Sequence, residues 1–150
     1  MKVETTAWGT LEIEEEQLLS LPKSLPGFDD ITNFALLPAE QEPFYYLQSL
    51  DNADLCFLLQ NPFYFFPDYQ FNLPDDEAEE LEITDQTGVE VYCITTVRSS
   101  IKESTANLLA PLVVNPAKRV GKQVVLHQSG YQTRQPIWIS EPDKPEEGGV

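Results

Sequence analysis

NLLAPLVVNP, residues 107–116, holds two short apolar runs, Leu108–Ala110 and Leu112–Val114, joined at Pro111. Both runs have the composition of strand interior, yet proline has no N–H to donate to a ladder. Two readings follow. Either the strand is an edge or carries a bulge at Pro111, or the stretch is an exposed apolar surface that awaits a partner.

The same β-rich texture extends outward on both sides. Val89–Arg98, VEVYCITTVR, is β-branched and aromatic and gives the strongest single strand signal. Lys2–Trp8 and Thr10–Glu14 flank Gly9, with Leu11 and Ile13 alternating with polar neighbours, so a first hairpin is expected. Phe34–Leu37, Phe44–Leu50 and Leu55–Gln60 read as further strands, with a turn at Asp51–Asp54. LPGF, Leu25–Phe28, suits a type II turn with Gly27 at positive φ. The pattern predicts a loop at AKRVGK and a strand at QVVLHQ, residues 123–128. Pro74–Ile83 is the best helix, with Asp76 and Glu79 spaced as a capping box and Ala78 and Leu81 as its buried face. Ile101–Thr105 is ambiguous. Short strands around one short helix predict a mainly β fold, a small antiparallel β-barrel.

A chain of 150 residues suits one domain with a core that needs neither disulfides nor a structural metal. Residues 1–140 are assigned to that domain, and 141–150, EPDKPEEGGV, to a disordered acidic tail. Cys56 and Cys93 sit inside apolar runs and read as buried core thiols. No apolar stretch has the length of a membrane span and MKVETTAWG has no signal-peptide core, so a cytoplasmic monomer is expected, with no membrane partner.

Charge is strongly polarised. The net charge is −16, and residues 1–90 carry 20 acids against 2 bases. Residues 91–150 carry 5 acids and 7 bases. Such a chain repels phosphate backbones, which argues against direct nucleic-acid binding and for a cationic protein partner.

No residues combine into catalytic chemistry. His127 is the one histidine and has no ligand-spaced companion, so no metal is expected. There is no nucleophile elbow, no phosphate loop, and no cationic context beside either cysteine. No cofactor is expected. Two stretches carry an interaction reading beside a bland one. Asn61–Phe71, NPFYFFPDYQF, packs six aromatic rings between and around two prolines. It is either core or a partner-binding hot spot, and Phe63, Tyr64, Phe66, Asp68 and Tyr69 are the candidates, with Asn107 and Pro111. The acidic run Asp75, Asp76, Glu77, Glu79 and Glu80 is either a solvated helix face or a surface that docks or repels a partner.

With these residues in view, the chain resembles the flagellar assembly factor FliW family. LPGF at Leu25–Phe28, FYYLQSLDNADLCFLLQNPFYFFPDYQFNL at Phe44–Leu73 and NLLAPLVVNPAKRVGKQVVLHQSGYQTRQPI at Asn107–Ile137 carry the resemblance over roughly half the chain. The third piece is the most specific, since it joins apolar, turn and GKQ elements. The position before Pro62, often acidic in the family, is Asn61 here. The resemblance implies a small β-barrel without catalytic activity and two partners. One is flagellin, held in the cytoplasm before export. The other is CsrA, a basic translational repressor that the factor antagonises when free of flagellin. The competing class is a small-ligand or flavin-binding β-barrel enzyme. Within the resemblance, Asn107–Pro116 becomes an interrupted strand that feeds the barrel core, ends at Asn115–Pro116, and uses Pro111 to protect an edge or to leave it for a chosen strand.

Overall fold

The computed structural model describes residues 1–84, 88–97 and 103–137. The expected tail at 141–150 and the first two residues of the ambiguous Ile101–Thr105 lie outside the described residues. The strands are β1 (Lys2–Thr5), β2 (Gly9–Glu12), β3 (Leu18–Ser20), β4 (Asn33–Pro38), β5 (Phe44–Ser49), β6 (Cys56–Gln60), β7 (Glu90–Thr96), β8 (Thr105–Ala106), β9 (Leu112–Asn115), β10 (Val120–Gln123) and β11 (Gln135–Pro136). Two short helices, α1 (Pro62–Phe65) and α2 (Asp75–Glu80), and one 3₁₀ turn (Glu15–Gln17) complete the described chain.

Seven strands close into a barrel in the order β7-β6-β5-β4-β3-β10-β9, and β9 returns to β7 through Glu90↔Val114, Val91↔Val113 and Tyr92↔Leu112. Every barrel ladder is antiparallel except β3–β10. The barrel is filled, as small barrels are. The alternating residues Leu19, Phe34, Leu47, Leu59, Tyr92, Leu112 and Val114 meet in its interior. Their neighbours point outward, where two further layers cover them. The β1–β2 ribbon lays Val3 and Ile13 on Ala35. The segment from α1 through α2 lays Tyr69 and Leu81 on Cys93 and Val113.

This double coverage explains NLLAPLVVNP. A strand with both faces buried needs no polar alternation, and all four residues of β9 are buried. The strand begins only after Pro111, so the proline interrupts nothing and guards no edge, because β9 is paired on both sides. The apolar run Leu108–Ala110 is not a strand; it is tied to the next segment by Leu126 N–H to the Leu109 carbonyl at 2.8 Å and Val124 N–H to the Pro111 carbonyl at 2.9 Å. The expected strand at QVVLHQ shifts toward the N-terminus to β10, and the expected AKRVGK loop supplies three of its four residues.

The hairpin turn at Asp51–Asp54 is confirmed, with Ser49 Oγ accepting from the N–H groups of Asp51 and Asn52 at 3.1 and 3.0 Å. The turn at Leu25–Phe28 closes with Phe28 N–H on the Leu25 carbonyl at 2.9 Å and Gly27 at φ 86. In the first hairpin β1 stops at Thr5, which leaves Trp8 in the turn. The helix α2 starts at Pro74 without a side-chain cap, so Asp76 and Glu79 form no capping box. It stops before Ile83 because Glu82 turns left-handed, at φ 58. Ile83 N–H then reaches the Ala78 carbonyl at 2.8 Å and Glu82 N–H the Glu79 carbonyl at 3.0 Å, the Schellman pattern with glutamate where glycine is usual. Asn115 offsets that strain: its Nδ2 donates to the carbonyls of Leu81 at 3.0 Å and Glu82 at 3.2 Å, pinning the helix end to the end of β9.

Candidate functional site

The aromatic segment is split by the fold into a buried half and an exposed half. Asn61 caps α1: its Oδ1 accepts from Phe63 N–H at 3.0 Å, and Pro62 occupies the first helical position. An acidic residue at this position would cap the same way, so the departure to Asn61 keeps the local geometry. The helix lasts one turn before Pro67. Along it Phe63 is 42% exposed and Tyr64 60% exposed, while Phe65 lies half-buried 6.2 Å from the Phe44 ring. Tyr69 is the opposite case, 4% exposed and packed on Tyr131 at 4.7 Å, with its hydroxyl donating to the Leu108 carbonyl at 2.7 Å. Phe66 is half-buried and Asp68 exposed.

The other two sequence candidates serve the fold in this structure. Asn107 Oδ1 accepts from Ala110 N–H at 3.0 Å, and Pro111 is buried behind β9. Two exposed rings of the seven candidates therefore remain, and the fold adds residues to them. The outer faces of β5 and β6 present Phe44, Tyr46 and Leu58, each half-buried and none of them part of the core clusters under the β1–β2 ribbon or α2. Trp8, from the first turn, stands 4.8 Å from Tyr46 at an interplanar angle of 67°. The result is an aromatic face from Trp8 across Tyr46 and Phe44 to Phe65 and Tyr64. Its only sequence signal is the spacing of Phe44 and Tyr46 on one strand face, and that spacing does not say whether the face is covered. Below Phe63, an apolar cleft of about 290 Å³ runs to Phe71, Leu73 and Val91.

The acidic helix is partly neutralised from the basic back half of the chain. Lys122 Nζ donates to Glu77 at 2.6 Å and Glu80 at 2.7 Å, and Lys23 reaches Glu80 at 3.2 Å. These hydrogen bonds, Glu77 first, push the Lys122 ammonium above its ordinary range, and Lys122 followed by Lys23 holds Glu80 below the usual carboxylate range. Lys118 pairs with Glu82 and Arg119 with Glu15. Among the described residues Asp75, Asp76 and Glu79 make no ion pair, so only these three of the five acidic candidates face solvent uncompensated.

The thiols are free. Cys93 is buried, and desolvation pushes its pKa up to about 12; Cys56 is half-buried rather than buried, and is raised for the same reason. Neither thiol forms an appreciable thiolate near neutrality. No helix among the described residues is long and apolar enough to cross a membrane.

Comparison with known proteins places this geometry in a lineage. A family model described as FliW protein matches residues 2–137. The chain is 45% identical over 139 residues to the flagellar assembly factor FliW of Desulfitobacterium hafniense (strain DSM 10664 / DCB-2), covering 92% of this chain and 91% of that protein. It is 44% identical over 135 residues to the flagellar assembly factor FliW of Bacillus pumilus (strain SAFR-032), covering 89% and 94%. A crystal structure of the flagellar assembly factor FliW superposes with a TM-score of 0.85 at 39% identity, over 91% of this chain and 96% of that one.

Proposed function

The chain belongs to the FliW family of flagellar assembly factors, and from that premise we propose that it works by holding two protein partners in turn. Flagellin occupies it in the cytoplasm before export. Once flagellin is exported, the free factor binds the translational repressor CsrA and lifts repression, so that synthesis follows export by mass action. The observation that carries this reading is the exposure of Phe63 and Tyr64 on a capped, rigid turn at one end of the aromatic face. Exposed aromatic rings held in place are what interface hot spots are made of. The filled barrel interior favours this reading over the alternative of a ligand-binding barrel enzyme, which would need a cavity with convergent polar groups.

The experiment is a calorimetric titration with flagellin and CsrA, first separately and then together. Both are expected to bind, and each to displace the other. Binding to neither overturns the reading, and a ternary complex removes the exclusive switch. Tyr64→Ala is expected to weaken flagellin binding by roughly tenfold or more while leaving the thermal midpoint unchanged.

Antagonism of CsrA is assigned to the uncompensated acids. Two unit charges 4 Å apart in water interact by only about 1 kcal/mol, so a single carboxylate does not expel RNA. A set of carboxylates docked within a Debye length of the RNA path, about 8 Å at physiological salt, does so collectively. The relief of repression is therefore expected to fade as salt rises, at fixed occupancy of the complex. RNA displacement that is equal in low and high salt removes the field mechanism.

A further inference from the structure

The Trp8 end of the aromatic face carries a more specific site. A cleft of about 430 Å³ opens there, lined by Trp8, Tyr46, Phe44 and Leu58 with Glu40 and Gln41 at its edge. We propose that this cleft receives an arginine side chain from a basic protein segment, with the guanidinium over the rings and Glu40 as its counter-charge. The proposal rests on the reading that the chain holds protein partners, and it assigns a contact which that reading leaves unplaced.

The cleft is preformed on both sides. Thr5 locks the first turn: its hydroxyl donates to the Gly9 carbonyl at 2.8 Å and accepts from Trp8 N–H at 2.9 Å. Thr6 ties the same turn to the β5–β6 turn through its N–H on the Ala53 carbonyl at 3.0 Å and its hydroxyl on Asp54. The indole is thereby held against Tyr46 while remaining 40% exposed. Opposite, the β4–β5 turn is closed by Ala39 N–H on the Phe44 carbonyl and Phe44 N–H on the Gln41 carbonyl, both at 3.0 Å, which fixes Glu40 at the rim. The backbone of both walls is thus set before a ligand enters, which lowers the ordering cost of binding.

Charge selects the occupant. An aromatic cleft takes an apolar side chain as readily as a cation, but this one lies in a field of one sign. From Ser24 to Val97 the chain has no lysine or arginine and 15 acidic residues. Four of the bases among the described residues are already engaged: Lys23 pairs with Glu80, and Lys118, Arg119 and Lys122 each pair with a glutamate. Glu40 makes no ion pair among the described residues. A cation over tryptophan and tyrosine faces is attracted by the ring quadrupoles. Arginine exceeds lysine here, because its planar, weakly hydrated guanidinium stacks on rings while pairing with a carboxylate.

Two synthetic dodecapeptides test the site, identical Gly-Ser chains carrying either three spaced arginines or three citrullines, which keep the shape and lose the charge. Binding is followed by the Trp8 indole N–H resonance, assigned by its loss in Trp8→Phe. The arginine peptide is expected to shift that resonance and to bind roughly tenfold more tightly than the citrulline peptide. Trp8→Ala is expected to remove roughly that factor, and Glu40→Gln roughly threefold, both with the wild-type thermal midpoint. Asp29→Asn combined with Asp30→Asn, at two exposed acids away from the cleft lining, is the control for non-specific attraction and leaves the affinity in place. Equal effects of the two peptides, no binding of either, or an arginine affinity untouched by Trp8→Ala each overturn the proposal. A chain that fails this test yet binds flagellin loses the site and keeps its function. A chain that binds the peptide but neither flagellin nor CsrA keeps the site and loses the partner reading.

Discussion

Tyr69→Ala is expected to destabilise the protein by about 3–5 kcal/mol, the range of large aromatic truncations in cores, and to lower its thermal midpoint by roughly 10 °C. The ring is the centre of the layer outside the barrel. It touches Phe63 at 5.8 Å, Phe71 at 5.7 Å and Tyr131 at 4.7 Å, and its hydroxyl holds the Leu108 carbonyl just before β9. Tyr131 in turn brackets the same segment, donating to the Gln70 carbonyl at 2.9 Å and accepting from Gln70 N–H at 3.1 Å. Removing the ring opens a cavity under α1 and releases the tie between the aromatic segment and NLLAPLVVNP. Tyr69→Phe separates the two effects. It keeps the ring and leaves one buried carbonyl without its donor, at a cost of about 1–3 kcal/mol. Circular-dichroism melts of the two variants beside Tyr64→Ala decide the matter: the graded order Ala, Phe, wild type places Tyr69 in the core. A Tyr69→Ala variant with the wild-type midpoint and weakened flagellin binding would instead make the ring part of the docking face.

The contrast between Tyr64 and Tyr69 marks where sequence reading reaches its limit. Both belong to one aromatic run, with the same composition and the same prolines around them, and only the layer over β7 and β9 decides which is covered. Elements with local signals were legible. The β5–β6 hairpin carries its own turn chemistry at Asp51–Asp54, and β7 its β-branched run. The barrel itself was legible from short strands without long helices. Elements that exist because of distant partners were not. The three residues of β3 pair with β4, and Ser20 alone joins them in parallel to Val120 of β10, about a hundred residues away; nothing local announces them. In β10, glycine and lysine look like loop residues, but each is used from outside: Gly121 by its neighbours in the barrel and Lys122 by the acids of α2. The candidate site was half legible for the same reason. The segment 63–69 was visible as aromatic and Phe44 and Tyr46 as one strand face, whereas Trp8 joins that face only when the first turn is brought onto β5.

Gly121→Val is expected to destabilise the protein by about 3 kcal/mol, by overpacking rather than by cavity formation. The glycine sits in β10 opposite Val114, at the seam where β3, β9 and β10 converge to close the barrel. Its φ is not left-handed, so backbone freedom is not the reason for it. Space is. A Cβ at this position meets Leu21 Cδ2 at 3.1 Å, the Val113 carbonyl at 3.3 Å and Val114 Cγ2 at 3.3 Å. The two side-chain atoms can move by a few tenths of an ångström, and the backbone oxygen of a paired strand cannot. Alanine is therefore expected to be tolerated within about 1 kcal/mol, since the better strand propensity offsets part of the crowding. The two branches of valine must displace either β9 or Leu21, which is 1% exposed and part of the barrel interior. Denaturant titration of the glycine, alanine and valine forms measures this, with the slope expected to stay constant and the midpoint to fall steeply only at valine. If valine is accepted as readily as alanine, the seam has slack and the barrel is not closed by close packing at this point. If the valine form loses stability and also shows exchange of the β9 amides at the rate of global unfolding, the closing strand opens only together with the rest of the barrel, as expected of a strand paired on both sides and buried on both faces.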